Sequence, residues 1–262
     1  MSALRAVWRL LRVALHALRG LAIVLLLFPR ADRAARHAHI RRWARRLLQV
    51  AGITLKVEGG FHAGATLLAA NHVSWLDIVV IHAVCPQARF VSKADVKHWP
   101  LLSRLVDAAD TLYIERERKR DAMRVVHQMA EALQHGHTVA VFPEGTTSDG
   151  HALLPFHANL LQAAIATGTP VQPVALRFSE PGHAVSPAAA YTGDTTLVQS
   201  VWRIARTPGL VATVRVRPPL GTRHADRRRL AEHLREEIEL GLEAPAPTRT
   251  AVVEPAADEA AA

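Results

Sequence analysis

The stretch RDAMRVVHQMAEALQHGHTVAVF, residues 120–142, indicates the fold class of this chain. Its first part, Arg120–Gln134, places apolar residues three and four positions apart, which predicts an amphipathic helix. Its second part, Thr138–Phe142, is a short apolar run rich in β-branched residues and predicts a buried strand. A helix that leads directly into a buried strand is typical of α/β domains.

The same alternation extends in both directions along the chain. Further strands are predicted at Ile53–Val57, Thr66–Ala70, Ala88–Val91, Thr111–Ile114, Val171–Phe178 and Val211–Val216, and further helices at Trp75–Val84, Leu101–Ala109, Ala158–Thr167, Thr196–Ala205 and Ala225–Leu242. We therefore predict one α/β domain over residues 49–243, with a mixed, mostly parallel sheet flanked by helices. Residues 244–262 are mostly Ala, Pro and acids and predict a disordered tail.

The positive charge of the chain lies almost entirely in its first 48 residues. The net charge is +9, and residues 1–48 carry eleven Arg and one acid, Asp32. Residues 49–262 hold 21 basic and 22 acidic side chains. A nucleic-acid-binding domain would carry its charge on the folded domain itself. The distribution therefore indicates a basic arm joined to a neutral domain, with no nucleic acid as partner.

The basic arm has the pattern of two helices that lie on a membrane. Arg5, Arg9, Arg12, His16 and Arg19 recur at helical spacing, and leucines occupy the other faces. An apolar run, Leu21–Phe28, follows, and Pro29 ends the first helix; residues 33–48 predict a second basic helix. An apolar face in the acyl boundary with Arg side chains at anionic headgroups is typical of a surface-lying helix.

We therefore expect residues 1–48 to associate with the cytoplasmic face of the inner or plasma membrane. The apolar run has eight residues, short of the ~20 of a spanning helix. Two alternatives stay open. The helices can pack on the domain with a solvated basic face. The segment can also be a cleaved signal peptide, although Arg30, Asp32 and Arg33 stand where small residues are expected.

Composition and motifs exclude several classes of protein. Half of the 262 residues are hydrophobic, which excludes a wholly disordered chain. A single cysteine, Cys85, excludes a disulfide framework and predicts a packed small hydrophobe. Neither G-x-G-x-x-G nor G-x-x-x-x-G-K-[ST] occurs. The fifteen His include no H-E-x-x-H, so we expect no metal site.

Two polar segments follow predicted strands, where open α/β sheets place their sites. The first is NHVSWLD, residues 71–77. Ser74 predicts a helix cap with Asp77 in the first turn, and Asp77 can turn back to the imidazole of His72. A carboxylate that holds a His fixes its tautomer and raises its basicity, which suits a general base acting on a hydroxyl.

The second segment is FPEGTTS, residues 142–148, after the strand Thr138–Phe142. Glu144 can accept a hydrogen bond from a substrate hydroxyl. Gly145, Thr146 and Ser148 can supply backbone and hydroxyl donors to an anion. A polar turn after a strand is the alternative interpretation of this segment taken alone.

Together and in this order, the two segments resemble the glycerolipid acyltransferases, the 1-acyl-glycerol-3-phosphate (lysophosphatidate) acyltransferases and their relatives. The family's N-H-x-x-x-x-D block is similar to residues 71–77, and its F-P-E-G-T block is similar to residues 142–146. LYIER, residues 112–116, resembles its second block, although Asp110 stands where a Gly is usual. VQPVA, residues 171–175, resembles its fourth block. The third block usually continues with Arg, and this chain has Thr147.

The resemblance implies an O-acyltransferase that makes phosphatidate in phospholipid biosynthesis. His72, oriented by Asp77, would take the proton of a lysolipid hydroxyl, and the oxygen would attack the thioester of acyl-CoA or acyl carrier protein. Because the thioester is already activated, no cofactor is implied. Arg116 and Lys93 would bind the acceptor phosphate, and Glu144, Gly145 and Thr146 complete the predicted substrate site.

Two other functions remain open. One is acylation of another lysolipid, such as lyso-ornithine lipid, whose head group needs fewer cations. The other is a non-enzymatic basic membrane-binding module in which the H-x-x-x-x-D spacing is accidental.

Overall fold

The computed structural model describes residues 3–93, 100–114 and 119–243. Its helices and strands alternate along the chain: α1 (Ala3–Leu26), α2 (Arg33–Ala51), β1 (Ile53–Glu58), β2 (Thr66–Ala70), α3 (Leu76–Val84), β3 (Arg89–Lys93), α4 (Pro100–Asp107), β4 (Leu112–Ile114), α5 (Lys119–Gln134), β5 (Thr138–Val141), α6 (Gln162–Thr167), β6 (Val171–Ser179), α7 (Leu197–Arg206), β7 (Leu210–Val216) and α8 (Arg227–Glu243).

The strands form a single mixed sheet in the described part of the chain. Their order is β1-β7-β6-β2-β5-β3-β4. Neighbouring strands run parallel except β6 and β7, which pair antiparallel. The predicted fold class, a mixed and mostly parallel sheet flanked by helices, is therefore confirmed. Strands β2 and β5 are neighbours at its centre, so their carboxyl ends bring residues 71–77 and 142–148 together.

Strand β2 shows why the sheet is covered on both faces. All five of its residues are buried. Leu68 and Ala70 pack into a core shared with α2, α3 and α7, whereas Leu67 and Ala69 pack into a second core with α5, α6 and α8. Successive side chains of a strand point to opposite faces, so a continuous apolar run is needed where both faces are buried.

Most predicted elements form within two residues of their predicted bounds. One helix differs, because the predicted Ala158–Thr167 is a 3₁₀ turn at Ala158–Leu161 followed by the short helix α6. The predicted tail, residues 244–262, lies outside the described residues.

The two predicted N-terminal helices both form, and α1 packs along the domain. A 3₁₀ turn, Phe28–Arg30, contains Pro29 and separates them, and Asp32 caps α2 by accepting from the Ala35 N–H. Near the start of α1, the Arg9 guanidinium donates to the carbonyls of Ala205 and Thr207.

Near the end of α1, Gly20 lies against the indole of Trp43, where an added Cβ would approach Nε1 to 2.3 Å. His16 Nε2 donates to the Trp43 carbonyl at 2.9 Å. Two members of the basic row on α1, Arg9 and His16, thus bond to the protein itself and do not face solvent or headgroups.

The opposite face of α1 is apolar and exposed. The exposed fractions run from 44% to 79% for Leu4, Val7, Trp8, Leu11, Leu15, Leu18, Leu25 and Leu26. The helical stretch Ala3–Arg30 is long and apolar enough to cross a membrane by length and composition. The sequence-based count of eight apolar residues took only an uninterrupted run, whereas this criterion accepts up to two charged residues in the window.

Candidate active site

Asn71 fixes the end of strand β2. Its amide nitrogen donates to the Leu176 carbonyl at 2.9 Å, and its amide oxygen accepts from the Leu176 N–H at 2.7 Å. Asn71 is 1% exposed. This two-way contact with β6 replaces a pair of backbone ladder bonds, so the chain leaves the sheet at a defined point just before His72.

His72 and Asp77 form a close pair at this strand end. The Nδ1 of His72 lies 2.7 Å from Oδ2 of Asp77. Asp77 is completely buried, whereas the His72 side chain is 18% exposed. A carboxylate accepts, so Nδ1 carries the proton, and the lone pair of Nε2 is the free base of the ring. The arrangement can remove a proton from a hydroxyl.

Asp77 also shapes the loop that carries His72. Its Oδ2 accepts from the N–H groups of Val73 and Ser74 at 2.7 and 2.9 Å. The predicted cap at Ser74 is wrong: the N-cap of α3 is Trp75, and the buried Ser74 Oγ has no hydrogen-bond partner among the described residues. Asp77 takes over this role, because its carboxylate turns back over the free N–H groups ahead of the helix.

Glu144 braces the same loop from the neighbouring strand. Its Oε1 accepts from the His72 N–H at 2.6 Å, and its Oε2 accepts from the Leu154 N–H at 2.9 Å. Glu144 is 3% exposed. Burial raises its pKa, and the two backbone N–H groups oppose that rise. These contacts make Glu144 a support for the His72 backbone; its predicted contact with substrate stays a prediction.

The rest of the loop 142–148 closes around His72. Ser148 donates to the His72 carbonyl from its N–H at 2.8 Å and from its hydroxyl at 3.2 Å. The N–H of Gly145 donates to the Phe142 carbonyl in a turn with φ of 70°, which favours glycine. Thr146 is exposed at the surface of the turn. The predicted roles of Gly145 and Thr146 in substrate binding stay predictions.

Comparison with known proteins identifies the family of this chain. A family model described as "Acyltransferase" matches residues 50–177. A lyso-ornithine lipid O-acyltransferase of Pseudomonas aeruginosa is 34% identical over 214 residues, which cover 80% of this chain and 82% of that protein. This chain belongs to the acyltransferase family.

Other relatives of this acyltransferase are named for a different acceptor, 1-acyl-sn-glycerol-3-phosphate. A 1-acyl-sn-glycerol-3-phosphate acyltransferase of Neisseria meningitidis is 41% identical over 155 residues, 59% of each chain. The crystal structure of the 1-acyl-sn-glycerophosphate (LPA) acyltransferase PlsC from Thermotoga maritima has a TM-score of 0.62 at 21% identity. The structural match covers 90% of this chain and 96% of the Thermotoga maritima chain, so the two proteins share a fold.

The predicted phosphate ligands of the acyltransferase are only partly placed. The backbone of Lys93 pairs with Ile114 at the ends of β3 and β4. Arg116 lies outside the described residues. Phosphate binding by Lys93 and Arg116 therefore stays a prediction.

Cys85, the single cysteine of the chain, lies in the core beside the sheet. Cys85 is buried, as predicted, and burial raises the pKa of its thiol to about 12. Within residues 3–93, 100–114 and 119–243, no group of three or more His, Cys, Asp or Glu could hold a metal ion.

Sequence reasoning missed several residues that build the site. Asn71 was part of the first motif, but its two-way contact with Leu176 needs a strand 105 positions away. Phe142 was part of the second motif, and its ring stacks on the His72 imidazole. Trp75 donates from Nε1 to the hydroxyl of Ser200 at 3.0 Å, which ties the loop to α7. Only the motif spacing could have pointed to the first two.

Proposed function

We propose that this acyltransferase moves a fatty acyl group from a thioester carrier to the free hydroxyl of 1-acyl-glycerol-3-phosphate and so makes phosphatidate. The observation that supports this is the 2.7 Å contact between His72 and Asp77, which leaves Nε2 as a free base. The donor is acyl-CoA or acyl carrier protein.

The reaction follows from the state of the imidazole. Nε2 of His72 takes the hydroxyl proton while the hydroxyl oxygen forms a bond to the thioester carbonyl carbon. The tetrahedral intermediate then collapses, the carbon–sulfur bond breaks, and the imidazolium returns the proton to the leaving sulfur. The buried carboxylate of Asp77 stabilises the imidazolium between these two proton transfers.

Binding of the acceptor phosphate is assigned to Arg116 and Lys93 in this proposal. An Arg presents a planar fork that matches phosphate oxygens. Lys93 is the last residue of β3, and Arg116 comes two positions after the neighbouring strand β4 in the sequence. Arg116→Ala should then raise the KM for the acceptor about tenfold to a hundredfold and leave the donor's KM nearly unchanged.

A second acceptor, lyso-ornithine lipid, is favoured by a specific observation at Thr147. Where the resemblance calls for Arg, Thr147 instead donates its hydroxyl to the Tyr191 carbonyl. Its polar group is therefore engaged by the protein, and no fixed cation stands at this position. The Pseudomonas aeruginosa relative, similar over four fifths of this chain, is named for this acceptor.

An acceptor panel separates the two candidates. Purified protein is given acyl-CoA or acyl carrier protein with either lysolipid; thiol release is followed, and the product is identified by mass spectrometry. Turnover of lysophosphatidate that His72→Ala abolishes supports the first proposal. Turnover of lyso-ornithine lipid alone would overturn it in favour of the second. Thr147→Arg should keep or improve lysophosphatidate turnover and depress that of a zwitterionic acceptor.

We also propose that α1 lies in the cytoplasmic surface of the membrane instead of crossing it. Arg9, near one end of α1, contacts the C-terminal end of α7, and Gly20, near the other end, contacts α2. The domain thus lies along the helix, and a spanning orientation would bury charged domain surface in the bilayer. With one long side on the domain, the exposed leucine face is available to the acyl region.

A further inference from the structure

The imidazole of His72 lies flat against the ring of Phe142. The two ring centroids are 3.9 Å apart, and the planes differ by only 7°. Nδ1 is held by Asp77 in the plane of the imidazole, while Phe142 covers one of its faces. The carboxylate and the phenyl ring together restrain rotation about both side-chain torsions of His72.

This stacking geometry suits a charged imidazole better than a neutral one. Two neutral aromatic rings prefer offset or edge-to-face arrangements with centroids roughly 4.5–7 Å apart, because their like-charged faces repel. A cation over the same ring face is attracted by its negative quadrupole. The near-parallel contact at 3.9 Å is therefore matched to imidazolium, the form that the proposed reaction generates between the two proton transfers.

Behind Phe142, further rings keep it in place. Phe90 stacks on Phe142 at 5.7 Å with 23° between the planes, and His82 meets Phe90 edge-on at 5.0 Å. Phe90 and His82 are buried. Burial lowers the pKa of His82 to about 4, so this supporting imidazole is uncharged at neutral pH and adds no repulsion toward a charge on His72.

We propose that Phe142 is a positioning residue for the acyl transfer: its ring face fixes the plane of His72 and stabilises the imidazolium formed when Nε2 takes the hydroxyl proton. This inference rests on the proposed role of His72 as the base. It adds a third partner to the pair with Asp77, and it gives the Phe that precedes Pro143 and Glu144 a function beyond filling the core.

Three variants separate this role from simple packing. Phe142→Leu keeps an apolar side chain of similar size and removes the π face. Phe142→Tyr retains the π face. Phe178→Leu is the matched control, because Phe178 is 2% exposed in the same core and has no ring contact with His72 among the residues described. Circular dichroism and thermal unfolding establish that each variant is folded.

The decisive measurement is the pH dependence of kcat. Without the π face the imidazolium is less stabilised, so the imidazole of His72 takes up a proton only at lower pH. Phe142→Leu should therefore move the acidic limb of the profile to lower pH by about half a unit to one unit. The same loss of stabilisation should lower its plateau kcat about threefold to tenfold. Phe142→Tyr should restore both, and Phe178→Leu should leave the limb in place even if it unfolds at lower temperature.

An unmoved limb in Phe142→Leu, with or without a lower kcat, would overturn the inference and return Phe142 to a packing role. Failure of Phe142→Tyr to restore the limb would do the same. If His72→Ala retains full activity, the proposed base itself fails, which is a different result from an unmoved limb in a protein that needs His72.

A titration by NMR tests the inference without turnover. The His72 ring signal is assigned by its disappearance in His72→Ala, and its midpoint is followed in the full-length protein and in the Phe142 variants. Loss of the π face should lower the midpoint by the same half unit to one unit. An identical midpoint in wild type and Phe142→Leu would contradict the proposed stabilisation.

Discussion

Replacing Asp77 by Asn removes one charge from the candidate active site and keeps its shape. The N–H groups of Val73 and Ser74 both point at Oδ2, so they hold the amide oxygen of the new side chain at that position. The amide NH₂ then takes the place of Oδ1, a buried atom that has no partner among the described residues. His72 keeps a hydrogen-bond acceptor at Nδ1 and loses the negative charge.

The size of the effect follows from that lost charge. Unit charges about 4 Å apart attract by roughly 4 kcal/mol at the effective dielectric constant of about 20 that suits protein sites. Asp77 is fully buried, which supports this value over that for bulk water. Since each 1.36 kcal/mol of barrier is tenfold in rate, we expect kcat to fall about 10³-fold. This lies within the range of about 10²–10⁴ for general-base catalysis.

The assay is thiol release at saturating donor and acceptor, with the product confirmed by mass spectrometry. Asp149→Asn is the matched control, because Asp149 is an exposed carboxylate on the loop that follows β5, and its kcat should stay within about twofold of wild type. Both variants should show the wild-type circular dichroism spectrum. An Asp77→Asn protein that keeps more than a tenth of the wild-type kcat would refute the assignment of Asp77 as the partner of the base.

Three further predictions concern stability and the membrane. The pKa of His82 is lowered to about 4 by burial, so between pH 6.5 and 4 the unfolded chain binds a proton that the folded chain does not. Wild type should therefore lose roughly 2 kcal/mol more unfolding free energy than His82→Phe between pH 7.5 and pH 5, measured by urea unfolding; parallel curves would contradict this. The double variant Leu11→Glu, Leu15→Glu places two charges on the exposed apolar face of α1, so it should no longer pellet with anionic vesicles at high salt. The control Met123→Glu changes an exposed apolar residue elsewhere and should still pellet. Glu144→Gln must place an NH₂ against one of two backbone N–H groups, so the midpoint of thermal unfolding should fall by roughly 3–8 °C together with kcat; an unchanged midpoint would argue against the brace.

Local pattern was sufficient to predict most of the helices and strands and the contact between His72 and Asp77. Four of the five residues of the strand Thr66–Ala70 form an uninterrupted apolar run because both faces are buried, and that property is visible in the residues themselves. The pairing of His72 with Asp77 was also accessible, since a loop of five positions brings the two side chains together without help from the rest of the chain.

The partners of these residues were not accessible in the same way. Leu176 and Glu144 lie 105 and 72 positions from the residues they contact, and strand order decides that they meet. The interpretation of the basic row on α1 as a headgroup-facing surface was wrong for Arg9 and His16, for a related reason. Helical spacing places residues on one side of a helix, but it does not say which side packs on the protein.

The sequence by itself determined the α/β class, the two polar segments after strands and the basic arm, because each depends on residues that are neighbours along the chain. The tertiary structure decided that β2 lies beside β5, that Glu144 supports the backbone of His72 and that Phe142 covers its ring. Those contacts join segments about seventy positions apart, and they form only when parallel pairing places both strand ends at the same edge of the sheet.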